Sequence, residues 1–163
     1  MLVRQDKKGL TLIEVVISIA VLAILMAGIV ASILHLRRTS EALVREEIAT
    51  AVAGGFLEQV RAVDYPELLG LANNGGMLEL IIRNNVRIDV QVDSLAWTEV
   101  MVPLTTNPAG LVENEMVFRF RVILEDMQPM RSVSIRVPFE WEDVLTRNWM
   151  QREVVLIRSA IPR

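Results

Sequence analysis

A lone glutamate stands at the entrance to a long uncharged stretch. Glu14 precedes residues 15–34, VVISIAVLAILMAGIVASIL, twenty positions without a charge. An unpaired carboxylate at mid-bilayer costs on the order of 2.5–3.5 kcal/mol on insertion scales, and less near an interface. The chemistry open to such a group is electrostatic, and its partner must be a cation. Other chemistries find few residues to carry them. No cysteine occurs, which excludes disulfides, thiolate zinc sites and cysteine nucleophiles. His35 is the only histidine, so a multi-histidine metal site is excluded, and its place beside the apolar stretch points to an interfacial role. The acidic pairs Glu46-Glu47, Glu125-Asp126 and Glu142-Asp143 lack the loop spacing of a calcium site and read as solvated charges. No phosphate loop is present, and Trp97, Trp141 and Trp149 are expected to pack. The chain is read as a non-enzyme with no cofactor.

The element that must position Glu14 is the apolar stretch itself. As a helix rising about 1.5 Å per residue it spans roughly 30 Å, the thickness of a hydrocarbon core. A removable secretory signal would be shorter and would end in a small-residue cleavage site, whereas His35-Leu36-Arg37-Arg38 follow here. An uncleaved signal anchor would explain the hydrophobicity but not Glu14 or the residues before it. Orientation by charge is close to a tie, because Arg4, Lys7 and Lys8 oppose Arg37 and Arg38.

With 163 residues the chain holds one ordinary domain plus an extra element. From Leu10 onward it has 14 arginines, no lysine and 19 carboxylates, a net charge of −5. Such a body offers no broad footprint for nucleic acid. A local stripe of Arg119, Arg121 and Arg136 is the one candidate, read more simply as the wet side of strands.

Beyond the apolar stretch, Leu36, Leu43, Val44, Ile48, Ala51, Val52, Phe56, Val60 and Val63 recur three and four apart, which predicts an amphipathic helix. Arg38, Glu41, Arg45, Glu58 and Arg61 occupy its solvated side. Asp64-Tyr65-Pro66 ends it, since the residue before proline is biased away from α geometry. One helix over residues 11–63 follows, with Gly28 and Gly54-Gly55 as points where it could loosen. Residues 65–76 read as a connector.

From Met77 the period becomes two. Val86, Ile88, Val90 and Val92 alternate with polar residues, as do Val133, Ile135, Val137, Phe139 and Trp141. Further strands are expected at 77–82, 116–124 and 153–158, with turns at Asn73-Asn74-Gly75-Gly76, Asn84-Asn85 and 105–110. Pro138 suggests an edge or a bulge. The expected fold is α+β: a long N-terminal helix packed by its amphipathic half on an antiparallel sheet.

The run Lys7-Lys8-Gly9-Leu10-Thr11-Leu12-Ile13-Glu14, continued by the apolar residues, resembles the leader and helix start of type IV prepilins and pseudopilins. The family more often has phenylalanine where Leu10 stands. The resemblance implies a leader of residues 1–9, cut by a prepilin peptidase between Gly9 and Leu10 on the cytoplasmic side, and N-methylation of Leu10. It further implies that Glu14 neutralises the terminal amine of a neighbouring subunit during assembly. Residues 10–35 would then form the transmembrane and filament-core helix, 36–64 its amphipathic half and 65–163 a β-rich head. The implied partners are the peptidase, other pilin or pseudopilin subunits, an inner-membrane assembly platform and the lipid bilayer. The implied location is the bacterial inner membrane, spanned once with the N-terminus inside, and afterwards a pilus or pseudopilus. The aliphatic-rich start, the segment at 58–66 and the modest size look more like a minor pilin or pseudopilin than a major one, and the missing C-terminal cysteine pair argues against the cysteine-looped pilins. Adhesion, motility, secretion and DNA uptake share the architecture. The rival from another class is a membrane-anchored binding module that never polymerises.

Overall fold

A computed structural model of the chain describes residues 11–82, 86–106, 112–128, 131–143 and 146–160. The chain divides into two compact units between Ser40 and Glu41. Helix α1 is Leu12–Ala62 and α2 is Tyr65–Asn74. The strands are β1 Gly76–Ile81, β2 Arg87–Val92, β3 Thr98–Thr106, β4 Val112–Phe120, β5 Ile123–Met127, β6 Ser132–Glu142 and β7 Trp149–Ser159. The fold is α+β and pilin-like, with the long N-terminal helix packed on antiparallel sheets.

In the first unit, every described residue from Thr11 to Arg38 is exposed. The two serines inside the apolar stretch turn inward on the helix: Ser18 donates to the Glu14 carbonyl at 2.7 Å and Ser32 to the Gly28 carbonyl at 2.9 Å. Their hydroxyls are thereby satisfied without water, as an apolar surrounding requires.

The second unit holds the core. Ala49, Ala53, Phe56, Leu57 and Val60 of α1 are buried against residues of β4 and β6, and Ile48 and Val52 are partly buried. The expected stripe therefore meets the sheet only from Ile48 onward and without Ala51, which is exposed; Leu43 and Val44 remain exposed at 60% and 49%. Ala49, Ala53 and Leu57 complete the buried face, where the two alanines are small enough to let the helix approach. A chain of rings joins helix to sheet: Phe56 stacks on Phe120 at 4.3 Å, Phe118 on Phe139 at 5.7 Å and Phe139 on Trp141 at 5.8 Å. Each such pair adds about 0.5–1.5 kcal/mol beyond the area it buries.

α1 ends where Asp64-Tyr65-Pro66 predicts, and Arg158 of β7 donates to the carbonyls of Arg61 and Val63 left open there. Residues 65–74, expected as a connector, instead form α2. Pro66 sits in its first turn, where a missing N–H costs nothing, and Leu68 is fully buried. Gly75 closes α2 at φ 67°, donating its N–H to the Leu71 carbonyl at 2.9 Å. A side chain on Gly76 would meet Leu71 Cδ2 at 2.7 Å, so the glycine pair is a helix stop and a strand start.

β1 and β2 pair as a two-stranded sheet. Asn84-Asn85, between them, lies outside the described residues, as does most of the expected turn at 105–110. In the five-stranded sheet, β3 pairs β4; β4 and β5 share one side of β6, and β7 takes the other. The strand expected at 116–124 is thus two strands. Phe118, Phe120, Val122 and Leu124 are all buried on one side as expected, but the ladder breaks at Arg121-Val122. There the Arg121 amide donates to the Pro138 carbonyl at 3.1 Å and the Asp93 amide to the Val122 carbonyl at 3.0 Å. β6 is an interior strand, which corrects the edge expected from Pro138. The carbonyl of Pro138 faces the break, so its missing N–H falls where no ladder bond is due. With neighbours on both sides, Ser132, Ser134 and Pro138 are buried as well, so the single buried side expected of this strand is also corrected. β3 was absent from the expected strands; it is an edge strand whose Pro103 adjoins a register shift.

Asp93 secures the break. Its φ is 56°, a conformation aspartate tolerates, and its Oδ1 accepts the Leu124 amide at 2.9 Å. Partial burial pushes the Asp93 carboxyl above its ordinary value, against the lowering pull of the Leu124 amide. A folded value above the unfolded one favours folding at low pH, and that contribution is lost as pH rises through the carboxylate range. Asp93→Asn keeps an acceptor and removes this dependence. Its thermal midpoint relative to the unsubstituted protein is therefore expected to rise from pH 4 to pH 7. Asp93→Ala strands the Leu124 amide and is expected to cost about 1–2 kcal/mol at either pH. A constant offset between the Asn variant and the unsubstituted chain would contradict the assignment.

Candidate functional site

The site expected at the helix start is described from Thr11 onward; Gly9 and Leu10, the expected cleavage and methylation positions, lie outside the described residues, as does the leader 1–9. Thr11 is the N-cap of α1 and Glu14 its third helical residue. The Thr11 amide donates to Glu14 Oε2 at 2.8 Å, the Thr11 hydroxyl donates to the same oxygen at 2.9 Å, and the Glu14 amide reaches Thr11 Oγ1 at 3.4 Å. This is a capping box, in which two otherwise open amides at a helix start are satisfied reciprocally. Thr11-Leu12-Ile13-Glu14 carries its sequence signature, which could have been read beforehand. The carboxylate also complements the positive end of the helix dipole.

Two consequences follow for what Glu14 can do. The box holds the carboxylate at the first turn instead of letting it swing along the helix. Both bonds from Thr11 end on Oε2, so Oε1 stays open among the described residues to a second donor. A cation brought to the helix start therefore meets a fixed acceptor. Around it the surface is apolar and uncovered, with Leu12 85%, Ile13 64% and Ile17 55% exposed. An apolar surface of this extent needs lipid or other apolar helices against it. A leader of this kind and a long apolar helix fit membrane anchoring.

The other candidates from sequence are dispersed. His35 is exposed on α1 and offers its carbonyl to the Thr39 hydroxyl at 3.0 Å. Among the described residues no three histidine or acidic side chains gather where a metal could be held. The acidic pairs have local duties: Glu46 bonds Arg152, Glu125 bonds Arg136, and Asp143 caps a turn through the Thr146 hydroxyl at 2.7 Å. Trp141 packs in the core as expected.

The three arginines named as a stripe share the sheet face opposite the core, but they are not equivalent. Arg119 bonds Glu99 at 2.9 Å and Glu140 at 3.5 Å, with the Trp149 ring 4.0 Å from its guanidinium carbon. Arg136 bonds Glu153 at 2.8 Å and Glu125 at 3.2 Å. The bonds to Glu99 and Glu153 are the chief reasons that both guanidinium groups are held above their ordinary value. Arg121 lies over Trp97 at 4.8 Å, and its buried Nε has no hydrogen-bond partner among the described residues.

Residues 4–30 match the family model described as the prokaryotic N-terminal methylation motif. The matched stretch includes Gly9, Leu10 and Glu14, and it supports a type IV prepilin-like leader of class III. No curated protein and no solved structure matches the chain.

Proposed function

From a chain that begins with a prokaryotic N-terminal methylation motif and continues as an uncovered apolar helix, we propose a structural subunit of a type IV pilus-like filament. It is a minor pilin or pseudopilin, and it is not an enzyme. A prepilin peptidase removes residues 1–9 at the cytoplasmic face by cutting between Gly9 and Leu10, and the new amine of Leu10 is methylated. Residues 10–35 lie first in the inner membrane and then in the filament core. Residues 36–64 and the head at 65–163 stand outside the membrane.

The single observation that carries this reading is the fixed Glu14 carboxylate at the start of an exposed apolar helix, inside the matched motif. In lipid-like surroundings a carboxylate and an ammonium are each costly alone, and pairing between neighbouring subunits relieves both. The pairing also sets the register between helices. The partners are therefore the peptidase, other subunits of the same filament, the inner-membrane assembly platform and the bilayer. The ion pairs at Arg119 and Arg136 argue against a nucleic acid on that face, because four carboxylates would oppose its phosphates. Recovering the chain from filaments sheared off native cells tests the proposal. Its presence in them is expected, and its confinement to the membrane as a non-polymerising anchor would overturn it.

A further inference from the structure

The sheet face opposite the core holds a cavity of about 400 Å³ at the break between β4 and β5, floored by Pro138 and walled by Arg121, Arg136, Gln151 and Glu153. Arg152 also borders it but is bonded to Glu46, and Arg136 and Glu153 are bonded to each other. Arg121 is left as the one wall cation without an acidic partner among the described residues. Its guanidinium carbon lies 4.8 Å from the centre of the Trp97 ring, and its Nε is buried without an acceptor among the described residues. Gln151 also lines the cavity and supplies a neutral amide.

We propose that this cavity is a socket for one carboxylate side chain of a neighbouring subunit, received by the guanidinium of Arg121 with Gln151 beside it. The proposal rests on the filament reading above. A guanidinium beside an aromatic ring suits a carboxylate, which its planar fork can bind through two parallel N–H donors. The volume admits a side chain, and the charges select a single anion: Glu125 and Glu153 beside Arg136 repel a polyanion such as a nucleic acid backbone. Copies of the chain have acids to offer, with 19 carboxylates against 14 arginines from Leu10 onward.

The test uses the full chain in its native membrane. Arg121→Gln is expected to lower the fraction found in filaments at least about tenfold, since losing even one of the two charge-assisted hydrogen bonds has that effect, with leader removal and membrane level unchanged. Arg121→Glu loses at least as much and regains it when an acidic residue of a neighbouring subunit is changed to arginine. Thermal unfolding of the detergent-solubilised variants, Arg121→Lys included, separates a lost socket from a lost fold. If Arg121→Gln folds and assembles normally while Glu14→Gln does not, the filament reading stands and the socket is refuted. An unsubstituted chain absent from filaments removes that reading and the neighbour together. A second arm follows tryptophan emission on adding a glutamate-containing tripeptide amide, its glutamine counterpart or inorganic phosphate. Only the glutamate peptide is expected to act, and only with Arg121 in place; a stronger response to phosphate would make this a free-anion site and overturn the proposal.

Discussion

Replacing Gly9 with a bulky residue such as phenylalanine is expected to leave the protein in its uncut form, retaining all 163 residues. A peptidase that cuts after this residue must bring its own groups against the backbone, and glycine is the residue that offers no Cβ to obstruct the approach. The block should be close to complete, because the nine residues before the cut either remain or leave as one piece. With them remain Arg4, Lys7 and Lys8, whose charges resist entry into an apolar phase. The Leu10 amine is then never exposed, so Glu14 has no terminal cation to meet and the chain should be absent from filaments. The mass of the purified variant decides the point: a product shortened to Leu10 despite the substitution would refute the assigned cut.

Glu14→Gln is expected to reduce incorporation about a hundredfold while leaving the leader cut intact. This substitution is more informative than Glu14→Ala, because it separates the capping role that the structure shows for Glu14 from the counter-ion role proposed for it. As the acid of the capping box it accepts the Thr11 amide, and loss of a helix cap costs about 0.5–2 kcal/mol. As the proposed counter-ion of a neighbouring amine it would relieve a buried charge, and removing one partner of such a pair costs about 3–5 kcal/mol, more than a hundredfold in an equilibrium. Glutamine keeps an acceptor for the Thr11 amide but carries no charge. If charge is what assembly needs, the Gln and Ala variants fail alike. If the Gln variant assembles as well as the unsubstituted chain, Glu14 serves only to start the helix, and the electrostatic account is wrong. Thr11→Ala complements this, because it removes the hydroxyl from the box and leaves the carboxylate, and it should lower incorporation only a few-fold.

How far the fold could be read from residue order depended on whether the deciding contacts were local. α1 was legible to within a residue at each end because the apolar stretch and Asp64-Tyr65-Pro66 are local signals, and Thr11, unread as a cap, stands just ahead of that stretch. Whereas β7 was expected only over residues 153–158 of Trp149–Ser159, β2 and β6 announced themselves by alternation. β3 did not, because Val100 and Val102 supply only a short alternation before Pro103 interrupts it. α2 was hidden by Pro66 and Gly70, residues that argue against a helix in isolation but are tolerated once Leu68 is buried. The break between β4 and β5 has no local signal. It depends on Asp93, about thirty residues upstream, and on the carbonyl of Pro138. For the same reason the role of β6 was misjudged, since alternation along one strand cannot tell how many neighbours will lie beside it.

The site divides the same way. Glu14 stood out because a charge at the edge of an apolar helix is anomalous in any surrounding. The arginine stripe was visible as a pattern, but its meaning was not. Only tertiary neighbours distinguish Arg119 and Arg136, each bonded to two carboxylates, from Arg121, which rests on a ring at the edge of a cavity.

The reading of this chain as a filament subunit depends first on the amine that Glu14 would meet being created at Leu10. Mass analysis of the N-terminal peptide of the protein purified from its native cells measures that directly. A peptide that begins with N-methylated Leu10 is the predicted result; a mature protein that still begins with Met1 would contradict it.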